Sequence, residues 1–177
     1  MPIVLNGSGT VTGLTALPDS AMANGSIIQV VQATSDTKTS TTSTSYVDTP
    51  LSASITPTAT SSKILVRYSM TVAINSDSNI AFFQILRGST AVGNGNQGTN
   101  RVKCHSALRG QHSDSNPSGV TSGEFLDTPS TTNAITYKIQ VYTRGSGEFN
   151  LNRPNSNDND VYVIGATSSI TAQEVAA

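Results

Sequence analysis

A chain of 177 residues is long enough for one domain with a buried core and too short for two ordinary ones. Only 12% of it is charged and the formal net charge is -1, which excludes the basic footprint of a nucleic-acid binder and the polybasic patch of a membrane-surface protein. Ser and Thr exceed a quarter of the residues. Even so, Val, Ile and Tyr arrive in alternating blocks able to bury a face, so a folded β protein is expected. The single cysteine, Cys104, has no internal disulfide partner, which leaves stability to packing or to partner chains. No charged leader precedes a long apolar run, and no stretch reaches the ~18 apolar residues of a membrane span. Neither a signal peptide nor membrane insertion is expected, and synthesis in a cytoplasm without general secretion follows.

In chain order, residues 1–25 (MPIVLNGSGTVTGLTALPDSAMANG) hold too few apolar positions for a core and read as an extended segment apart from a domain over 26–177. Within it PDSAM, at 18–22, reads as one helical turn broken by Asn24-Gly25. IIQVVQAT at 27–34 is the first strand, apolar enough for burial on both faces over part of its length. SDTKTSTTSTS is expected to be a loop leading to a strand that ends at Tyr46-Val47, followed by strands at 51–55, 63–74 and 79–88. In 63–74 the period of two sends Ile64, Val66 and Tyr68 one way and Leu65, Arg67 and Ser69 the other. NSDSN is expected to close that strand and the next into a hairpin. GNGNQGTN at 93–100 reads as a surface loop, having no lysine and no following helix to hold a phosphate. Further strands are expected at 101–109, 119–126, 134–143, 147–151, 160–164 and 168–175. Short strands at this spacing, punctuated by Gly, Asn, Asp and Pro, make the fold all-β, a jelly-roll-like β-sandwich with an extended N-terminal attachment segment.

One internal echo links YVDTPLSASITPTATSSKILVRY with FLDTPSTTNAITYKIQVY: an aromatic, an aliphatic, Asp-Thr-Pro, a polar connection and a Lys-Ile strand. Proline lacks the ladder donor and Asp bonds its own backbone, so each Asp-Thr-Pro is expected to end one strand and turn into the next. The two units suit equivalent places in two facing sheets.

Residues with chemical potential are few. Cys104-His105 and His112-x-Asp114 match no zinc spacing, and on a strand Cys104 would be a small buried hydrophobe and His105 a surface residue. NLNRPNSNDND offers hard oxygens at Asn157, Asp158 and Asp160, but Asp160 stands where a calcium loop needs glycine and Ala166 where it needs glutamate, so a solvated turn is expected. Glu124, Asp127, Glu148 and Asp160 are the acids from which a glycosidase pair could be drawn, with nothing in the sequence to single one out. No nucleophile motif is present. The expectation is no catalytic residue, no metal and no cofactor. Tyr142, Tyr162 and Asn152 read first as ordinary strand packing and second as glycan contacts.

IVLNGSGTVTGLTALPDSAM resembles the N-terminal segment shared by many tail-fibre and related virion proteins of tailed bacteriophages, especially cyanophages and other marine phages. IIQVVQAT, TSYVDTPLSASITPTATSSKILV, FLDTPSTTNAITYKIQV and SSITAQEVAA resemble the β domain of the same proteins, whereas 75–118 departs into sequence of its own. The resemblance implies a structural or adhesive virion protein, most naturally a tail fibre or tail appendage. It implies a homotrimer, virion-protein partners and host surface glycan as the distal ligand. Residues 1–25 then dock through Ile3, Val4, Leu5, Val11 and Leu14 onto a tail or capsid component or onto sister chains. A head fibre or capsid decoration protein is the structural alternative, and a cellular carbohydrate-binding module the alternative of another class.

Overall fold

In the most regular strand, Lys63–Ile74, Ile64, Val66, Tyr68, Met70 and Val72 are buried, while Lys63, Arg67 and Ser69 face outward. That alternation is the pattern of a sheet covered on one face. The structure is a computed structural model describing residues 22–76, 78–95, 98–110, 118–145, 147–154, 161 and 163–177. Its strands are β1 (Ile27–Ser35), β2 (Thr39–Thr41), β3 (Val47–Ile55), β4 (Lys63–Ile74), β5 (Ile80–Arg87), β6 (Thr90–Val92), β7 (Ser106–Arg109), β8 (Gly119–Asp127), β9 (Ile135–Arg144), β10 (Phe149–Leu151) and β11 (Ser168–Val175). No helix appears among the described residues.

Two antiparallel sheets pack against each other as a β-sandwich. In sheet A, β8 flanks one side of β4, and β11 and then β10 flank the other, with β1 and β2 outside them. In sheet B, β3 pairs β9, β9 pairs β5, and the far side of β5 is shared by β7 and β6. With each split strand taken as one row, sheet A reads β1/β2, β10/β11, β4, β8 and sheet B reads β3, β9, β5, β6/β7. Leu51, Ile55, Phe83, Ile85, Tyr137 and Ile139 from sheet B meet Ile64, Val66, Met70, Phe149, Leu151 and Ile170 from sheet A in one core. Each such side chain contributes about 1.5–3 kcal/mol by leaving water.

Several sequence expectations change. β1 is an edge strand with no fully buried residue, and Ile27 and Val30 stay exposed. Only one of its faces is covered: Val31 and Ala33 pack against the core, and nothing among the described residues covers the opposite face. NSDSN joins no hairpin: β4 lies in sheet A and β5 in sheet B, so this connection crosses between layers. Asp48-Thr49-Pro50 does not end a strand. β3 runs through it with a register shift between Asp48 and Ser52, and an outer strand tolerates the missing proline donor. Asp127-Thr128-Pro129 does end β8. β7 starts only at Ser106, with residues 101–105 outside any strand, and Val161, Val163 and Ile164 also lie outside strands. The expected PDSAM turn falls outside the described residues except for Met22.

The echoed units do occupy related places. The first crosses from β3 in sheet B to β4 in sheet A, and the second from β8 in sheet A to β9 in sheet B. β3 pairs β9 and β4 pairs β8, so the two arches lie side by side at one end of the sandwich. The described chain enters and leaves at this same end, where Gly25 N donates to Ala176 O at 2.8 Å and Ala176 N to Ser26 O at 2.9 Å.

Candidate functional site

The outer face of sheet B carries the first cluster. Register places Tyr142 directly opposite Phe82 on β5, and Tyr46 precedes Val47, which pairs Val141. Phe82 stacks on Tyr142 with centroids 5.3 Å apart and planes 17° apart, and Tyr46 leans on it from the other side at 5.6 Å and 57°. Tyr142 is therefore flanked by rings from both neighbouring rows. Cross-strand packing occupies its faces, and a sugar would meet edges rather than a free platform. Tyr46 donates its hydroxyl to Lys103 O at 2.8 Å. Burial, with smaller contributions from Cys104 and Tyr142, pushes its phenol up to about 12.

Beside the rings runs a ladder of polar side chains. Asn94 Nδ2 donates to Gln84 Oε1 at 3.3 Å, Gln84 Nε2 to Gln140 Oε1 at 2.7 Å, and Gln140 Nε2 to Asp48 Oδ1 at 2.6 Å. Lys138 Nζ closes it on Asp48 Oδ2 at 2.6 Å. These hydrogen bonds from Lys138 and Gln140 outweigh the opposing effect of burial and hold the Asp48 carboxyl below its ordinary value. At the other end Asn94 Oδ1 is buried without a partner. The sequence reading singled out Tyr142 and missed Tyr46, Phe82 and this ladder. Their signal was phase: Phe82 and Gln84 alternate with buried Ala81, Phe83 and Ile85.

Asn152 does not reach solvent. It is fully buried at φ 59°, where its Nδ2 donates to Ser35 O at 2.8 Å and Thr37 O at 3.1 Å, its Oδ1 accepts from Ser168 Oγ at 2.5 Å, and its N donates to Thr71 O at 2.9 Å. The side chain stitches the seam where β1 breaks into β2 and β11 gives way to β10. Asparagine tolerates the left-handed backbone this requires. That local role leaves no side-chain atom for a glycan. Tyr162 lies outside the described residues, as do Ile3, Val4, Leu5, Val11 and Leu14.

His105 is not a surface residue. It lies half-buried beneath Gly93 and Gly123, where its Nδ1–H donates to Gly93 O at 3.0 Å and its ring meets Tyr68 edge-on at 5.9 Å. A Cβ on Gly123 would sit 2.6 Å from Tyr68 Oη and 2.7 Å from His105 Nε2, so glycine is what lets these rings fit. Cys104 is partly buried, and desolvation pushes its thiol up. His112, Asp114, Asn157, Asp158 and Asp160 lie outside the described residues, and Ala166 donates its N to Asn152 O. No group of three or more His, Cys, Asp or Glu side chains converges among the described residues.

The described acids named from sequence stand in separate ion pairs: Glu124 with Arg67 at 3.0 Å, Asp127 with Arg87 at 3.1 Å, and Glu148 with Arg153 at 3.7 Å. Asp127 also accepts from Tyr137 Oη at 2.7 Å, and desolvation, reinforced by that bond, raises the phenol strongly. Glu174 was not anticipated, although its alternation with Ile170 and Ala172 points it into the core. It is fully buried and accepts from Gln29 Nε2 at 2.5 Å and from Thr58 N and Oγ1, each at 2.7 Å. Burial pushes its carboxyl up, but donors on Gln29, Ser62 and Thr58 together outweigh this and hold it below the ordinary value. Compared with known proteins, the chain matches no family model and no curated protein.

Proposed function

We propose that this chain is a structural and adhesive component of a phage virion, a tail fibre or tail appendage, anchored through residues 1–25 and working as a homotrimer against host surface glycan. The observation that carries the reading is the row order. Numbered along the chain, the eight rows run first, eighth, third, sixth in sheet A and second, seventh, fourth, fifth in sheet B. This order supports the jelly-roll reading of the sandwich, and jelly rolls serve capsid and lectin domains. The resemblance of the leader and of the Asp-Thr-Pro units to tail-fibre sequences supplies the rest, since fold alone does not select function.

The polarity of the sandwich supports an anchored module. Both arches and the point where the described chain enters stand at one end. The connection from Thr41 to Val47, residues 42–46, and residues 75, 76, 78 and 79 between β4 and β5 lie at the other. A leader docked on a particle would present the far end to the host. The test is incorporation of a chain lacking residues 1–25 into particles. Loss of incorporation is the expected result, and normal incorporation would overturn docking by that segment.

A further inference from the structure

The outer face of sheet A holds a trough of about 330 Å³ over its centre, lined by Arg67, Ser69, Ser122, Glu124, Ser169 and Thr171. These side chains form a block in strict register. Ser169, Ser69 and Ser122 are consecutive partners across β11, β4 and β8, and the next outward-facing row is Thr171, Arg67 and Glu124. The depression has a simple cause: three serines meet in one row between longer side chains, and Gly123 and Tyr68 beneath it turn inward. Gln32 Nε2 donates to Thr171 Oγ1 at 3.0 Å and fixes the rim. The Arg67–Glu124 pair stands at the other side with 57% and 63% of its side chains exposed.

We infer that this trough is a binding site for a neutral saccharide. Strand addition is excluded because β4 is already paired on both sides, so the floor offers no free ladder groups. An anion or a cation gains no net field, since Arg67 and Glu124 cancel. What remains is a cluster of hydroxyls that donate and accept, next to a guanidinium that only donates and a carboxylate that only accepts. Vicinal hydroxyls of a sugar need donors and acceptors side by side. The volume falls at the small end of ordinary ligand sites, ~300–1,000 Å³. Tyr68 borders the trough but is only 3% exposed and turns its ring inward, so it offers a sugar no open aromatic face; each contact is weak and binding depends on several copies acting together. The inference rests on the adhesive part of the proposed function and names its ligand class and place.

The test is a two-dimensional amide NMR titration of the full chain with lactose, cellobiose, mannobiose and N,N′-diacetylchitobiose, each to ~10 mM, which saturates sites near 1 mM. The expected result is that at least one disaccharide shifts the amides of Ser69, Ser122, Gly123 and Ser169. Ser122→Tyr, which fills the trough with a residue suited to strands, then lowers affinity at least tenfold with spectral dispersion retained. The site is overturned if none of the four sugars moves these amides, if the shifts centre on Tyr46, Phe82 and Tyr142, or if Ser122→Tyr binds equally well. It is also overturned if the same amides shift with protein concentration alone, which would make the face a contact between copies. Particles that carry the chain while the titration stays silent would overturn this site alone. A positive titration with no particle containing the chain would overturn the virion reading alone.

Discussion

Two stretches of this molecule share Asp-Thr-Pro and a crossing between layers, yet they are held by different chemistry. In the second arch the motif's own acid is the lock: Asp127 is 7% exposed and binds Arg87 and Tyr137. In the first, Asp48 is 51% exposed on an outer strand and pairs with Lys138 and Gln140, contributing to the surface rather than to the turn. The lock on that arch is Glu174, supplied by the last strand to Thr58 and Ser62. One motif thus marks two similar crossings, while burial decides which carboxylate matters. A proline tolerated inside β3 and a proline just past β8 follow from the same difference, because β3 continues past its motif and β8 stops.

Substitutions can break the comparison. Asp127→Ala removes one partner of a buried ion pair and leaves Arg87 and the Tyr137 hydroxyl uncompensated, with an expected loss of about 3–5 kcal/mol in urea unfolding. Tyr137→Phe removes one buried hydrogen bond to that carboxylate and is expected to cost about 1.5–3 kcal/mol. Glu174→Gln is expected to cost about 1–3 kcal/mol at neutral pH, because donors from Gln29, Thr58 and Ser62 lose a charged acceptor. Its pH dependence sharpens the point. The folded carboxyl titrates below its ordinary 4.5, so the wild-type chain holds its full advantage above that pH. It loses that advantage as the pH falls through the lowered value, and unfolding midpoints of wild type and variant converge in acid. Asp48→Ala, at a solvated pair, is expected to change stability by about 1 kcal/mol or less. Equal losses at Asp48 and Asp127 would show that the two arches are locked alike.

Much of the sandwich was legible because β4, β9 and β11 alternate cleanly over eight or more residues. β2 and β6 were not, since strands of three residues, one of them wholly polar, carry no period. NSDSN shows a different limit. A polar turn announces that the chain reverses, while which layer receives the next strand depends on which face of β5 must be buried. Asn152 looked like a surface amide because its neighbours are polar. Its burial follows from a seam between β10 and β11 that no local pattern encodes. Tyr142 was recognised as a strand aromatic, but the rings that flank it come from residues 46 and 82, far apart in sequence. The serine trough was invisible for the same reason, since Ser69, Ser122 and Ser169 meet only through register.

The proposed role is a virion appendage anchored at the end where the two arches and Gly25 stand. Cryo-electron microscopy of purified particles tests it most directly. The expected result is density for the two-sheet sandwich on the particle, with Gly25 and Ala176 facing a tail or capsid protein and residues 42–46, 75 and 76 facing outward. Particles without this chain, or a sandwich mounted by its opposite end, would contradict it.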